Sequence, residues 1–423
     1  MTRDASKLWR FDELIAANLL EIGDGYRARN EELVGNTGPI FLRAGHVTDT
    51  EIDFTGVEHF DPRLAAKVEP KMSLVGDTVV TTKGNSTGRV AFVSASMPRF
   101  VYSPHLSYWR SLEHGQLVPG FVRYWARGPA FRVQLEALSR STDMAPYLSL
   151  SDQRRLAIEL PSPAVQRAIA ALLGALDDKI ELNRQMNETL EAMARALFKS
   201  WFVDFDPVRA KMEGRAPFGM DAATAKLFPS ALEASEGSRI PAGWSRVQLG
   251  DLLLLKRGYD LPHAERQPGS IPIVSSSGVS GVHSEARAKG PGVVTGRYGT
   301  IGRVFLVDDD FWPLNTTLYV VDFKGTNVTY AYHVLCGLDF AKYSDKAAVP
   351  GINRNHLHTE FVLKPSPEVQ LLFGELVSTW QRRVSVANAE SHTLAQLRDL
   401  LLPKLLSGEL RIRDAERAVE AVL

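Results

Sequence analysis

The apolar positions of this chain follow two rhythms, and the change between them comes each time at the same short word. From about Pro163 to Val203 apolar residues recur every three or four positions, at Ile169, Leu172, Leu176, Ile180, Leu190, Leu197 and Trp201. That is the stripe of an amphipathic helix. A second stretch, about Pro367 to Leu402, keeps the same spacing through Leu372, Leu376, Trp380, Val384, Leu394 and Leu401. Each begins with a proline that suits the first helical turn, and roughly 40 residues at about 1.5 Å each give a helix of about 60 Å. The seam carries Asn183 and Asn187 in the first stretch and the small residues Ala387 and Ser391 at the matching places in the second. Asparagine in a seam costs stability and fixes register. Helices this long are unusual in compact domains, so the pattern predicts two helices packed on each other as an antiparallel coiled coil, in preference to two members of an ordinary bundle.

The rest of the chain is strand-like and broken by glycine. Pro161-Ser162-Pro163-Ala164-Val165-Gln166 returns as Pro365-Ser366-Pro367-Glu368-Val369-Gln370, an offset of 204 (365 minus 161). Upstream, Gly88-Arg89-Val90 matches Gly302-Arg303-Val304, Gly25-Tyr26 matches Gly258-Tyr259, and Trp9 and Pro39 match Trp244 and Pro272. A period this long excludes a solenoid and indicates a duplicated domain. The predicted order is a head over 1–160, a spacer helix over 161–205, a connector over 206–240, a second head over 241–363, a spacer helix over 364–410 and a tail over 411–423. The fold class is α/β (α+β): two similar heads of mixed β-sheet and helices, separated by two long helices and related by a pseudo-twofold axis. In the first head, helices are expected over Leu8–Leu20 and Phe121–Leu138, with strands at Thr78–Thr81 and Arg89–Val93. In the second, a short helix is expected at 249–255 and another over Tyr330–Leu338, with strands at Ile271–Val274, Gly292–Thr295 and Arg303–Val307.

Two glycine-rich loops carry the candidate chemistry. Gly296-Arg297-Tyr298-Gly299-Thr300-Ile301-Gly302 has neither the ending of a P-loop nor the order of a dinucleotide fingerprint. Lying between two strand patterns, it reads as a tight hairpin. Thr82-Lys83-Gly84-Asn85-Ser86-Thr87-Gly88 is its counterpart. Such tips would present Lys83, Asn85 and Arg89 in one head, and Arg297, Tyr298, Thr300 and Arg303 in the other, to a phosphate backbone or a groove. Asn315, within Trp312–Thr317, joins them. So do Asn353, Arg354 and Asn355 in the stretch from Val349 to His356, because arginine can fork onto guanine and asparagine onto adenine. The parallel stretch in the first head is Ala145–Leu150. Taken singly, each loop is equally a solvated turn; recurrence in both heads favours binding.

Composition narrows the classes. Lys plus Arg equals Asp plus Glu at 49 each, which argues against a protein gripping nucleic acid by charge alone. It leaves room for a sequence reader with its cations gathered on one face. Cys336 is the sole cysteine, so no disulfide framework or cysteine metal site is expected. No signal peptide and no membrane-spanning run is evident, and a cytoplasmic location is the expectation. No adenine-methyltransferase tetrapeptide occurs, His356 and His358 have the wrong spacing for a zinc helix, and Asp308, Asp309 and Asp310 read as a solvated turn. The chain is therefore expected to be non-catalytic and to bind no metal or cofactor itself.

The order of head, Pro-Ser-Pro-x-Val-Gln helix, head and Pro-Ser-Pro-x-Val-Gln helix resembles the specificity subunit of type I restriction-modification enzymes. The resemblance extends through Ile180–Asn183, Trp201–Val208, Gly258–Pro262, Gly296–Gly302 and Trp312–Thr317, and covers essentially the whole chain. It implies that each head is a target-recognition domain reading one half of a bipartite, asymmetric site in double-stranded DNA. The helices would set the gap and dock two methyltransferase subunits, through positions such as Leu176, Ile180, Asn183, Asn187, Leu190, Leu197, Trp380, Val384, Leu394 and Leu401. Those partners would use S-adenosylmethionine, and restriction subunits would add ATP- and Mg-dependent cleavage. Two other readings remain open: a DNA reader of a related two-component methyltransferase-nuclease, and a coiled-coil scaffold whose heads bind proteins.

Overall fold

The computed structural model describes residues 6–48, 51–139, 146–235, 237–343 and 351–421. The chain divides into two compact units, one formed by 1–183 with 389–423 and the other by 184–388. The long helices run over Pro163–Phe202 and Pro367–Leu406, and each contributes one half to each unit.

In the first unit, a four-stranded antiparallel sheet has the order Leu20–Asp24, Leu106–Ser111, Thr78–Thr81, Val90–Phe92. A three-stranded sheet sets Gly35–Leu42 between Glu58–His59 and Phe100–Tyr102, the latter pairing parallel. A two-stranded ladder joins Lys7–Arg10 to Ala157–Leu160. Every residue of Thr78–Thr81 is buried, as β-branched side chains suit a strand covered on both faces.

The second unit has the same plan. Its four-stranded sheet has the order Leu254–Arg257, Thr317–Asp322, Gly292–Gly296, Val304–Val307. Its three-stranded sheet sets Ile271–Ser275 between Gly278–His283 and the parallel Trp312–Pro313. Ser245–Gln248 pairs with Phe361–Lys364. The duplication thus extends from a six-residue word to the order and direction of the four-, three- and two-stranded sheets of the heads.

The repeated word has a mechanical reason. Gln166 is 1% exposed; it accepts from the Val118 amide at 3.0 Å and donates to the carbonyls of Pro161 and Gln116 at 2.9 and 3.1 Å. In the second unit Gln370 accepts from the Asn327 amide at 3.3 Å and donates to the Pro365 carbonyl at 3.0 Å. Val118 and Asn327 are the N-caps of Pro119–Arg127 and Val328–Cys336. Each glutamine therefore ties the first turn of a long helix to the first turn of its head's helix, satisfying groups that a helix start leaves orphaned.

Within each unit the long-helix halves pack antiparallel. In the first, Asn183 is 1% exposed and donates to Glu390 Oε2 at 2.8 Å and Ser391 Oγ at 3.2 Å. In the second, Asn187 Nδ2 donates to Asn388 Oδ1 at 2.8 Å. Leu176, Leu394 and Leu401 are fully buried, whereas Ile180, Leu190, Leu197, Trp380 and Val384 are half-buried. The stripe at the start of the second helix is Val369, Phe373 and Val377, not Leu372 and Leu376, and Leu376 is exposed. Two adjacent stripes satisfy the helical period there, and packing on the head selects the one containing Phe373.

Several expected elements are divided. Leu8–Leu20 is a helix only over Phe11–Ala16, because both flanks join ladders. Phe121–Leu138 is two helices, Pro119–Arg127 and Pro129–Ser139. Pro129 lacks an amide hydrogen and pushes Gly128 out of the helical region, to φ −78°, ψ 165°. At 249–255 the helix stops at Leu252 and a strand begins at Leu254. The connector contains helices Asp206–Met212 and Ala222–Lys226 and a hairpin over Leu232–Pro241. The stretch expected as a tail contains a helix, Ile412–Glu420, that buries Ala415 and Val419.

Candidate nucleic-acid interface

Both glycine loops are hairpin connections, as the flanking strand patterns predict. In the first head the Thr81 amide donates to the Arg89 carbonyl at 3.0 Å; in the second the Gly296 amide donates to the Arg303 carbonyl at 3.1 Å. Gly88 and Gly302 close the two loops at φ +91° and +77°, a conformation that glycine adopts without penalty.

Each loop is also pinned to the other candidate segment of its head. In the first, the Leu148 amide donates to the Thr82 carbonyl at 2.9 Å and the Gly84 amide to the Pro146 carbonyl at 3.1 Å. In the second, the Ile352 amide donates to the Arg297 carbonyl at 3.1 Å, and Tyr298 bridges to Gly351. Leu148 and Ile352 are buried anchors. Short helices follow at once, Leu150–Arg154 capped by Ser149 and Arg354–His358 capped by Asn353. Ala145, Val349 and Pro350 lie outside the described residues.

Within this frame the candidate side chains separate. Lys83 and Asn85 are exposed at the tip of the first hairpin. Arg89 turns back into its head, donating to the Val47 carbonyl at 3.3 Å. Arg297 lies over the Tyr298 ring at 4.4 Å, and Thr300 is exposed beside it. Arg303 lies over Phe305 at 5.1 Å and lines a different place, a cavity of about 470 Å³ that it shares with Leu190, Arg195, His333, Trp380 and Val384. Asn353 spends its carbonyl oxygen on the Asn355 amide at 3.0 Å, so it is a helix cap, while Arg354 and Asn355 are exposed in the first turn. Asn315 donates to Asp260.

That last contact leads to residues the loop motifs did not single out. Asp260 also pairs with Arg257 at 3.3 Å. Lys256 Nζ lies 3.2 Å from the Tyr259 hydroxyl, which lies 3.1 Å from that of Tyr319. Hydrogen bonding by Tyr319 and then Lys256 holds the Tyr259 phenol below its usual range. Arg287 stacks over Trp312 at 5.0 Å and approaches the Tyr259 ring at 5.9 Å. The sequence signal was the repeat of Gly25-Tyr26 as Gly258-Tyr259, whose flanks bear charges of opposite sign.

Among the described residues no helix is long and apolar enough to cross a membrane. No cluster of His, Cys, Asp or Glu there could hold a metal ion.

No protein-family model matches the chain. It is 26% identical over 328 residues to the type I restriction enzyme HindI specificity subunit of Haemophilus influenzae, across 63% of this chain and 71% of that one. It is 28% identical over 295 residues to the MjaIX specificity subunit of Methanocaldococcus jannaschii, across 64% of each. The crystal structure of the type I restriction-modification S subunit from M. genitalium matches with a TM-score of 0.59 and 17% identity, over 96% of this chain and 97% of that one. The fold is shared along nearly the whole length, while the sequence likeness covers about two thirds of it.

Proposed function

We propose that this chain, whose homologues are specificity subunits of type I restriction enzymes, is the DNA-reading subunit of such a complex. Each head reads one half of a bipartite, asymmetric site, and the long helices set the gap and dock methyltransferase subunits. Two methyltransferase subunits would bring S-adenosylmethionine, restriction subunits would bring ATP- and Mg-dependent cleavage, and this chain would perform neither reaction.

The observation that carries this reading is the repeated frame with unlike tips. Two heads of one sheet order hold a glycine-closed hairpin against a capped short helix. One hairpin bears Lys83 and Asn85, and the other bears Arg297, Tyr298 and Thr300. A shared frame suits one mode of approach to duplex DNA, and unlike tips suit two different half-sequences. The non-specific part of the affinity then falls to cations around the tips, consistent with a chain of zero formal net charge.

The test is to map methylated adenines in cells carrying this chain with its methyltransferase partner. A two-part motif with an unspecified gap is expected. Methylation that is absent, or confined to one uninterrupted motif, would refute the reading.

A further inference from the structure

The repeated glycine-tyrosine turn is flanked by inverted charges: Asp24-Gly25-Tyr26-Arg27 in the first head and Arg257-Gly258-Tyr259-Asp260 in the second. The backbone beneath it is the same. The Tyr26 amide donates to the Tyr102 carbonyl at 2.7 Å, and the Tyr259 amide to the Pro313 carbonyl at 2.8 Å. A Cβ on Gly25 would meet the Ser103 carbonyl oxygen at 2.1 Å, and one on Gly258 the Leu314 oxygen at 2.2 Å. Packing therefore fixes the glycines and the turn, and leaves the flanking charges free to differ. In the first head Lys71 Nζ takes up Asp24 at 3.1 Å, and Arg27 is exposed.

We propose that Arg257 and Asn315 are base-reading residues of the second head, and that Asp260 is the positioning residue that orients both. This rests on the DNA-reading function above and deepens it by naming the recognised chemistry. Arg257 and Asp260 are exposed, with side-chain exposures of 51% and 68%, so burial does not explain their pairing. The 3.3 Å ion pair steers the guanidinium and leaves N–H groups available for guanine N7 and O6. One amide hydrogen of Asn315 is taken by Asp260. The other hydrogen and the carbonyl oxygen remain, and these are the donor and acceptor that an adenine edge requires. Lys256 and Arg287, exposed around Tyr259, supply phosphate contacts that carry no sequence information. They outweigh the Asp260 carboxylate, so the patch stays cationic.

The experiment selects bound duplexes from a random-sequence pool using the full-length chain assembled with its methyltransferase partner, and sequences them. Arg257→Lys keeps the charge and loses the fork. It is expected to lower preference for guanine at one position of one half-site by about tenfold, with the salt dependence unchanged. Asp260→Ala should flatten that position and a neighbouring adenine of the same half-site, while melting temperature holds and non-specific binding does not fall, since a negative charge has left the patch. Asn315→Ser should relax the adenine alone. Wild-type enrichment of a bipartite site, with variants that retain every preference, would overturn this assignment and leave the general function standing. Equal losses in both half-sites would also overturn it, because they would mark general electrostatics. If the wild-type assembly enriches no sequence, the DNA-reading function itself fails.

Discussion

Arg398 on the second long helix donates from Nη1 to Asp177 Oδ1 on the first at 2.7 Å, so a single carboxylate joins the two helix halves of the first unit. The head's helix reaches the same carboxylate. Arg123 pairs with Asp177, Arg127 approaches it at 3.5 Å, and the Tyr124 hydroxyl donates to it at 2.8 Å. Three guanidinium groups converge on an aspartate side chain that is only 10% exposed. Burial alone would raise its pKa, but Arg123, Arg127 and Arg398 together hold it below the usual carboxylate range.

Removing that charge strands the part-buried Arg123 and Arg127 and leaves Arg398 only the exposed Asp399 carboxylate at 2.8 Å. Asp177→Asn is expected to destabilise the first unit by about 3–5 kcal/mol, the cost of leaving buried charge uncompensated, and Arg398→Ala by less. Because the folded pKa is depressed, the stabilisation is present above the unfolded value near 4 and is lost as pH falls below it. Hydrogen exchange in Pro119–Arg127 across an acid titration checks both points. Wild-type protection should fall in that window, and Asp177→Asn should be less protected than wild type at neutral pH and lose less across it.

The repeat puts different chemistry at the corresponding place in the second unit. The shared caps align Val118 with Asn327, and so Tyr124 with His333, while the offset of the long helices aligns Asp177 with Gln381 and Ala194 with Arg398. Where the first unit has an ion cluster, the second has the cavity lined by His333, Gln381 and Ala194. His333 stacks on Phe198 at 5.5 Å, its Nε2 is buried without a hydrogen-bond partner, and burial lowers its pKa to about 4. The unfolded state, with a histidine pKa near 6.5, binds the extra proton first. Stability of the second unit should therefore fall by about 3 kcal/mol as pH drops from roughly 6.5 to 4. His333→Phe should flatten that slope when unfolding of the full chain is followed by exchange in Val328–Cys336. An unchanged slope would assign the pH response to other groups.

The sequence made the frame legible because the frame depends on local rules. The long helices begin at Pro163 and Pro367, where the repeated word predicts them. Both glycine hairpins fall between the strand-like runs the sequence shows on either side of them. The breaks within Leu8–Leu20 and at Gly128-Pro129 were harder to see. One depends on ladder partners far along the chain, at Ala157–Leu160 and Ser111, and the other on a proline that a helical stripe can run through on paper. The candidate residues divided for the same reason. Lys83 and Arg297 are placed by their own loops, while Asp260 and Asn315, 55 residues apart, meet where Tyr259 bridges to Leu314. Arg89 and Arg303 share a motif with the tips, but on the residue just before a strand their side chains turn elsewhere, Arg89 to the Val47 carbonyl and Arg303 over Phe305.

Asn187 is buried in the seam of the second unit, where the exposed Asn388 accepts its amide hydrogen. Their hydrogen bond leaves Asn187 Oδ1 buried with no partner. Asn388→Ala should cost about 1–3 kcal/mol by orphaning the remaining amide. Asn187→Leu with Asn388→Leu should raise the melting temperature while loosening helix register. Cross-linking of cysteines introduced along the two helix halves reads the register. A single cross-linking register in the double variant would show that the asparagines do not specify it.

The last prediction concerns the hold of a loop on its frame. A Cβ on Gly351 would lie 2.2 Å from the Tyr298 ring, and the same ring underlies the Arg297 guanidinium. Gly351→Ala must therefore displace Tyr298, and Arg297 with it, without touching the first head. In methylation mapping, the variant is expected to lose or relax one half of the motif and keep the other. Tyr298→Ala removes the obstacle, so adding it to Gly351→Ala should recover the stability lost by the single variant, though not the contribution of the tyrosine to recognition. A double variant no more stable than Gly351→Ala would place the strain in the Gly351 backbone itself. Loss of both half-sites in the single variant would mean that the loop supports assembly as a whole and does not serve one head's reading surface.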